Sequence, residues 1–169
     1  MIAMEIGGVR FRLDPAAISA LRYRAEYGNS IVNDLARCVS AAEAEGRLLR
    51  MCHMMIPVAD RPELLEFARL ARKDPDFLDK ARVAKAALLA PDPQMGLPSA
   101  EEGTGEAFDE YRVLALLACI GVDLCLIYDL PILHLVAVAH RAAELRDPES
   151  KWYRPMTDDE LLSLYPRRR

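Results

Sequence analysis

The chain has 169 residues, of which 52% are hydrophobic and 28% charged, which is the composition of an ordinary globular protein. Its formal net charge of −4 argues against nucleic acid as the main partner, because phosphate binding needs a concentrated basic face. The first residues lack the positive start and long apolar region of a signal peptide, so we expect a cytoplasmic protein.

The first predicted element is a small β-hairpin over residues 5–13. Gly7 and Gly8 can supply the positive φ angles of a two-residue turn. The residues after this turn alternate between an apolar set and a charged set: Val9, Phe11 and Leu13 against Arg10 and Arg12. This alternation predicts one buried and one solvated face.

A first helix is predicted over residues 15–27. Asp14 has the chemistry of an N-cap, and Pro15 suits the first helical position. Gly28 can end this helix in the left-handed conformation.

A second helix follows, with Asn29 or Ser30 as its cap. Gly46 marks a place where this helix can bend or divide before it closes at Pro57. Its predicted inner face carries a row of small and aliphatic residues: Ile31, Leu35, Cys38 and Ala42.

Two amphipathic helices are predicted between residues 61 and 90, each beginning near a proline. They have the pattern of an antiparallel hairpin or lid laid on the core. The inner residues of the first are Leu64, Phe67, Ala68 and Ala71, and those of the second are Phe77, Ala81, Ala84 and Leu88.

The segment 111–140 is apolar on every side of a helical period, which favours burial all round. Asp123, Asp129 and Pro131 divide it into pieces too short to span a membrane. We therefore expect two short helices here, at the centre of the core.

The predicted fold is all-α with a small N-terminal β-hairpin, arranged as an orthogonal helical bundle with a Pro/Gly-rich internal loop. Residues 1–90 would form the hairpin and its helices, and residues 91–105 a flexible linker or loop. Residues 106–169 would form a C-terminal helical part. Each part is near the lower size limit for its own core, so we expect one shared core.

No catalytic constellation is recognisable in the sequence. His134 and His140 are six residues apart and do not face together on a helix, so zinc is not expected. Acidic pairs such as Asp109 and Glu110 stand at predicted helix starts, where carboxylates favour the macrodipole. We expect no enzyme activity, no metal and no cofactor.

The four cysteines, Cys38, Cys52, Cys119 and Cys125, lie among apolar neighbours and are expected to be buried free thiols.

Two groups of residues could contact a partner. Met51, Met54 and Met55 could grip varied hydrophobic surfaces, or they could simply fill the core. Trp152 and Tyr153 could anchor an interface, or they could pack back on the protein.

Residues 21–35 carry a recognisable pattern, L-R-Y-R-x-x-[FY]-G-x-[DS]-[IL]-x-x-D-L. This pattern resembles the opening of tail assembly chaperones of long-tailed, siphovirus-like bacteriophages. Residues 108–117 and the segment leading to 157 are similar to the same group.

The resemblance implies a non-enzymatic, mainly helical protein in the host bacterial cytoplasm. Such a protein would coat the tape measure protein before tail polymerisation, recruit tail components, including the tail tube protein, and self-associate. Many members are extended by a programmed frameshift. The resemblance assigns six motif residues to the corner between helices one and two: Arg22, Tyr23, Arg24, Tyr27, Gly28 and Asp34.

A small helical regulator that binds nucleic acid is the alternative. Arginines at 10, 12, 22, 24 and 167–169 could gather on one side of the molecule. An enzyme is the third hypothesis, disfavoured by the missing constellation.

Overall fold

The computed structural model describes residues 1–36, 40–90, 97–98, 108–146 and 153–154. These residues form a mainly helical protein with a small antiparallel hairpin at the N-terminus, which confirms these two parts of the predicted fold. The orthogonal arrangement of the helices stays a prediction. Within them, no helix is both long enough and apolar enough to cross a membrane.

The hairpin consists of β1 (Ile2–Ile6) and β2 (Val9–Leu13). Ile6 pairs with Val9 across the turn, where Gly7 and Gly8 have φ angles of 57° and 83°. Alternate side chains enter the core as predicted, except that Val9 beside the turn is exposed. The buried set is Met4, Ile6, Phe11 and Leu13.

Helix α1 (Ala17–Tyr27) begins two residues after the predicted start. Asp14 still organises this end, because its carboxylate accepts the Ala16 N–H at 3.1 Å and its carbonyl accepts the Ser19 hydroxyl at 2.8 Å. Gly28 ends the helix with a φ of 74°, as predicted.

The second predicted helix is two helices, α2 (Ile31–Ala36) and α3 (Ala41–Met55). The expected division at Gly46 is wrong, because α3 continues through that residue. Ser40 marks the new start instead, since its hydroxyl accepts the Glu43 N–H at 3.2 Å and so satisfies a first-turn donor. Cys38 lies outside the described residues.

Helix α3 is the centre of the core. Its last turns bury a continuous apolar set against the hairpin, α1, α4 and α5: Leu48, Met51, Cys52, Met54, Met55 and Ile56. Arg61 closes the helix by donating to the carbonyls of Ile56, at 2.9 and 3.1 Å, and of Met54, at 3.2 Å. A cation is favourable at this negative end of the helix dipole.

Helices α4 (Leu64–Lys73) and α5 (Phe77–Leu88) cover the hairpin and α3. Phe67 on α4 contacts Phe11 and Phe77 edge-on, with ring centroids 5.6 and 6.3 Å apart. All four inner residues predicted for α5 are buried. On α4, Phe67 and Ala71 are buried and Leu64 and Ala68 partly so.

The C-terminal part contains α6 (Glu110–Cys119), a 3₁₀ turn (Leu124–Tyr128) and α7 (Ile132–Arg146). The prediction that this part is the centre of the core is wrong. Glu110 and Leu117 are the buried residues of α6, whereas α3 occupies the centre. Uniform apolarity does not define which face of a helix is buried, and α6 lies at the edge with one side covered.

The C-terminal helices nevertheless join the same apolar cluster as α3. Ile132 and Leu135 of α7 are fully buried in it, and the Ala17 N–H donates to the Leu130 carbonyl at 2.8 Å. The loop predicted over 91–105 is described at one place, where Leu97–Pro98 (β3) pairs antiparallel with Tyr153–Arg154 (β4). The flexible linker or loop over residues 91–105 stays a prediction.

The cysteine prediction holds for Cys52 and fails for two others. Cys52 is buried in α3, and burial raises its thiol pKa to about 12. Cys119 and Cys125 are exposed, since they belong to the edge segment rather than the core. A hydrogen bond to Asp123 raises the pKa of Cys125.

Candidate functional site

The corner between α1 and α2 is held by a buried tyrosine. The Tyr23 hydroxyl donates to Oδ2 of Asp34 at 2.8 Å, and the Tyr23 ring packs against Tyr27 with centroids 4.7 Å apart. Burial, together with the hydrogen bond to Asp34, raises the pKa of Tyr23 well above its ordinary value. With Gly28 at the turn, four of the six motif residues therefore meet at this corner.

The two motif arginines have different surroundings. Arg24 lies 3.8 Å from Oδ1 of Asp109 and sits over the ring of Tyr111, 5.8 Å from its centroid. Arg22 has one guanidinium nitrogen, Nη1, that is buried and has no hydrogen-bond partner among the described residues. Arg24 thus connects α1 to the start of α6, while Arg22 does not take part in that contact.

The start of α6 docks directly on this corner. Oε1 of the fully buried Glu110 accepts the Ser30 hydroxyl at 2.7 Å and the Ile31 N–H at 3.2 Å. The Asn33 amide donates to the Phe108 carbonyl at 2.7 Å and accepts the Phe108 N–H at 3.1 Å. The two segments that carry the resemblance are therefore in contact, although 75 to 80 residues separate the bonded pairs.

Glu110, Ser30 and Asn33 were not singled out as site residues from the sequence. Asp109 does cap α6, as its position predicted, by accepting the Tyr111 N–H at 3.0 Å. Glu110, the second residue of that acidic pair, instead turns inward and receives the first N–H of α2. A buried carboxylate is rare unless it is hydrogen-bonded, and nothing in the local pattern indicates that Glu110 is the buried member of the pair.

The burial of the three methionines decides between the two interpretations of this group, partner contact and core filling. Met51, Met54 and Met55 are buried against the hairpin and neighbouring helices, so they offer no surface to a partner. The alternative interpretation, core filling, is the right one, because their turns of α3 are enclosed by other elements. Trp152 lies outside the described residues, and Tyr153 is described through its backbone pairing with Pro98.

Apolar side chains are exposed elsewhere, on α6 and the 3₁₀ turn beside it. Tyr111 is 49% exposed, Leu116 38%, Leu124 42% and Tyr128 59%. We refer to these four side chains as the α6 surface. Ala115 and Cys119 are also exposed, so one side of α6 presents small and apolar groups to solvent.

Other chemistry is sparse in the part of the chain that the structure describes. No group of three or more His, Cys, Asp or Glu side chains there could hold a metal ion. Arg10 and Arg12 line an open depression on the hairpin with Ala3, whereas Arg24 is paired with Asp109. The four arginines considered for nucleic-acid binding therefore differ in accessibility, and residues 167–169 lie outside the described ranges.

No protein-family model, curated protein or solved structure matches this chain. Function must therefore be inferred from the residues and their geometry.

Proposed function

We propose that this protein is a tail assembly chaperone of a long-tailed bacteriophage. In this role it binds the tape measure protein, keeps it soluble in the host cytoplasm and helps to recruit tail components, without catalysis. The resemblance of residues 21–35 and 108–117 to that class is the starting point of the proposal. Their direct contact at the α1–α2 corner supports treating them as one structural unit.

The observation that carries the proposal is the α6 surface. Its four side chains are large and apolar, and each is more than a third exposed. Exposed apolar side chains of this size can mark interaction sites. An amphipathic helix can place its apolar stripe on such a surface, and long helical clients carry many such stripes.

The charge of the protein agrees with a protein client. The net charge of −4 and the pairing of Arg24 with Asp109 leave little concentrated positive field for phosphates. Arg10 and Arg12, which line the open depression on the hairpin, are too few for the concentrated basic face that a nucleic-acid-binding regulator needs.

Co-expression with the tape measure protein encoded downstream tests the proposal. We expect a large soluble species that contains both proteins in light-scattering chromatography, while the tape measure protein alone precipitates. Separate elution, with the tape measure protein still insoluble, would reject the chaperone function. DNA binding, measured with its salt dependence, would then be the next test.

A further inference from the structure

Only one of the two carboxylate oxygens of Glu110 accepts hydrogen bonds from the described residues. The residue is fully buried, and Oε1 accepts two hydrogen bonds, from Ser30 and Ile31. Oε2 is buried as well, yet it has no hydrogen-bond partner among the described residues. An ionised carboxylate in this position loses its hydration and uses only one of its two oxygens.

The charged groups around Glu110 compensate for this burial only in part. Arg24 on α1 is the cation that acts on it, but Arg24 also pairs with Asp109 and stacks on Tyr111. Helix α2 presents the uncharged Ser30 hydroxyl and Ile31 N–H. Burial raises the pKa of Glu110, and this exceeds the lowering by Ser30, Arg24 and Ile31.

Residues 108–111 carry the polar contacts of α6 with the corner, while Val113 packs against the apolar cluster. Leu117 is the one apolar residue of α6 that is fully covered, and the remaining ties to the corner are polar: Asn33 with Phe108 and Arg24 with Asp109. We propose that residues 108–111 form a protonation-controlled latch. Proton uptake by Glu110 holds α6 against the α1–α2 corner, and proton loss loosens it.

The direction of the effect follows from linkage. Glu110 binds its proton more tightly when it is buried at the corner than when α6 is released into water. Release therefore becomes easier as the pH rises from the ordinary glutamate pKa through the raised one, and attachment is strongest below both values. This device does not depend on the proposed chaperone function, because it concerns the contacts within one chain.

Hydrogen exchange of the full chain between pH 5 and 8, corrected for the intrinsic pH dependence of exchange, tests the latch. We expect protection of the α6 amides to fall several-fold as the pH rises, while the α3 amides keep theirs. Glu110→Gln should abolish the fall of α6 protection with rising pH. Asp79→Asn removes an exposed carboxylate on α5, outside the latch and its contacts, so it should leave the fall in α6 protection in place.

Two results would overturn the proposal: α6 protection that does not change with pH in the natural chain, or an unchanged pH dependence in Glu110→Gln. If that variant does not fold, Ser30→Ala provides a second test. Loss of the hydroxyl destabilises the ionised carboxylate, so the midpoint of the transition should move to higher pH. A midpoint that stays in place or moves lower would refute the latch.

Discussion

The hydroxyl of Ser30 donates to Oε1 of Glu110 at 2.7 Å, and this bond joins two positions 80 residues apart in the chain. It places the start of α6 on the N-cap of α2, beside the hydrogen bond from Tyr23 to Asp34. The corner is therefore a junction of three helices and not merely a turn between two.

Asn33 should contribute strongly to this junction. Asn33→Ala removes both hydrogen bonds to Phe108, whose backbone groups would lose these partners. We expect a loss of about 1–3 kcal/mol in the free energy of unfolding, measured by urea denaturation. Asn29→Ala, at an exposed position in the same turn, is the control and should change stability by less than about 0.5 kcal/mol. Equal effects of the two substitutions would contradict the role given to Asn33.

Tyr23 is expected to stabilise the corner through its hydroxyl as well as its ring. Tyr23→Phe leaves the packing with Tyr27 but removes the bond to Asp34, so we expect a loss of about 1–2 kcal/mol at neutral pH. Because the pKa of Tyr23 is raised in the folded protein, its stabilisation should also decline above the ordinary tyrosine pKa.

Urea titrations at neutral and alkaline pH would measure both effects. Tyr128→Phe, at an exposed ring, is the matched control and should alter neither. If Tyr23→Phe is as stable as the control, the hydroxyl does not hold the corner.

The two glycines of the hairpin turn should respond differently to alanine. A Cβ at Gly7 would lie 2.5 Å from the Leu70 carbonyl oxygen, whereas a Cβ at Gly8 would meet nothing within 4 Å. Both have positive φ angles, so Gly8→Ala reports the backbone strain alone, about 1–2 kcal/mol. We expect the Tm of Gly7→Ala to be clearly lower than that of Gly8→Ala, since α4 must also shift. The reverse order would show that the hairpin does not rest on α4.

Asp74 ties the hairpin turn to the corner between α4 and α5. Its carboxylate accepts the Gly7 N–H at 3.1 Å and the Lys80 ammonium at 2.7 Å, and the bond to Lys80 is the main cause of its lowered pKa. This stabilisation is present above the ordinary aspartate pKa and is lost as the pH falls through the lowered value.

Asp74→Asn should therefore reduce the Tm at pH 7 and flatten the fall of stability in acid. Asp79→Asn, which removes an exposed pair with Arg82, is the control and should do neither. If stability falls equally with decreasing pH in Asp74→Asn and in the natural chain, Asp74 is not the cause of that fall.

The sequence predicted local structure well where a pattern defines one face. Phe77, Ala81, Ala84 and Leu88 repeat at helical spacing against charged residues, and all four are buried. Gly28 likewise ends α1 in the left-handed conformation, because glycine adopts it without a Cβ penalty.

The tertiary contacts could not be predicted from the sequence because they depend on residues far apart in the chain. In the sequence, Glu110 is simply one of two acidic residues at a predicted helix start. Its burial depends on a contact with Ser30, which lies 80 residues earlier. Residues 111–119 are apolar on several sides, so periodicity could not indicate which side faces solvent. Met51, Met54 and Met55 are buried because other elements surround their turns of α3, which composition does not indicate.

Binding of the client at the α6 surface is tested most directly by comparing two substitutions. Leu116→Glu places a charge on this surface, whereas Leu65→Glu places the same charge on α4, at a leucine that is 76% exposed. A charge inside an apolar contact is costly because it must be desolvated. Each variant would be co-expressed with the tape measure protein, and the soluble complex would be measured by light-scattering chromatography. We expect Leu116→Glu to lose most of the complex and Leu65→Glu to retain it, with both variants folded by circular dichroism. Equal amounts of complex from the two variants would contradict binding of the client at this surface.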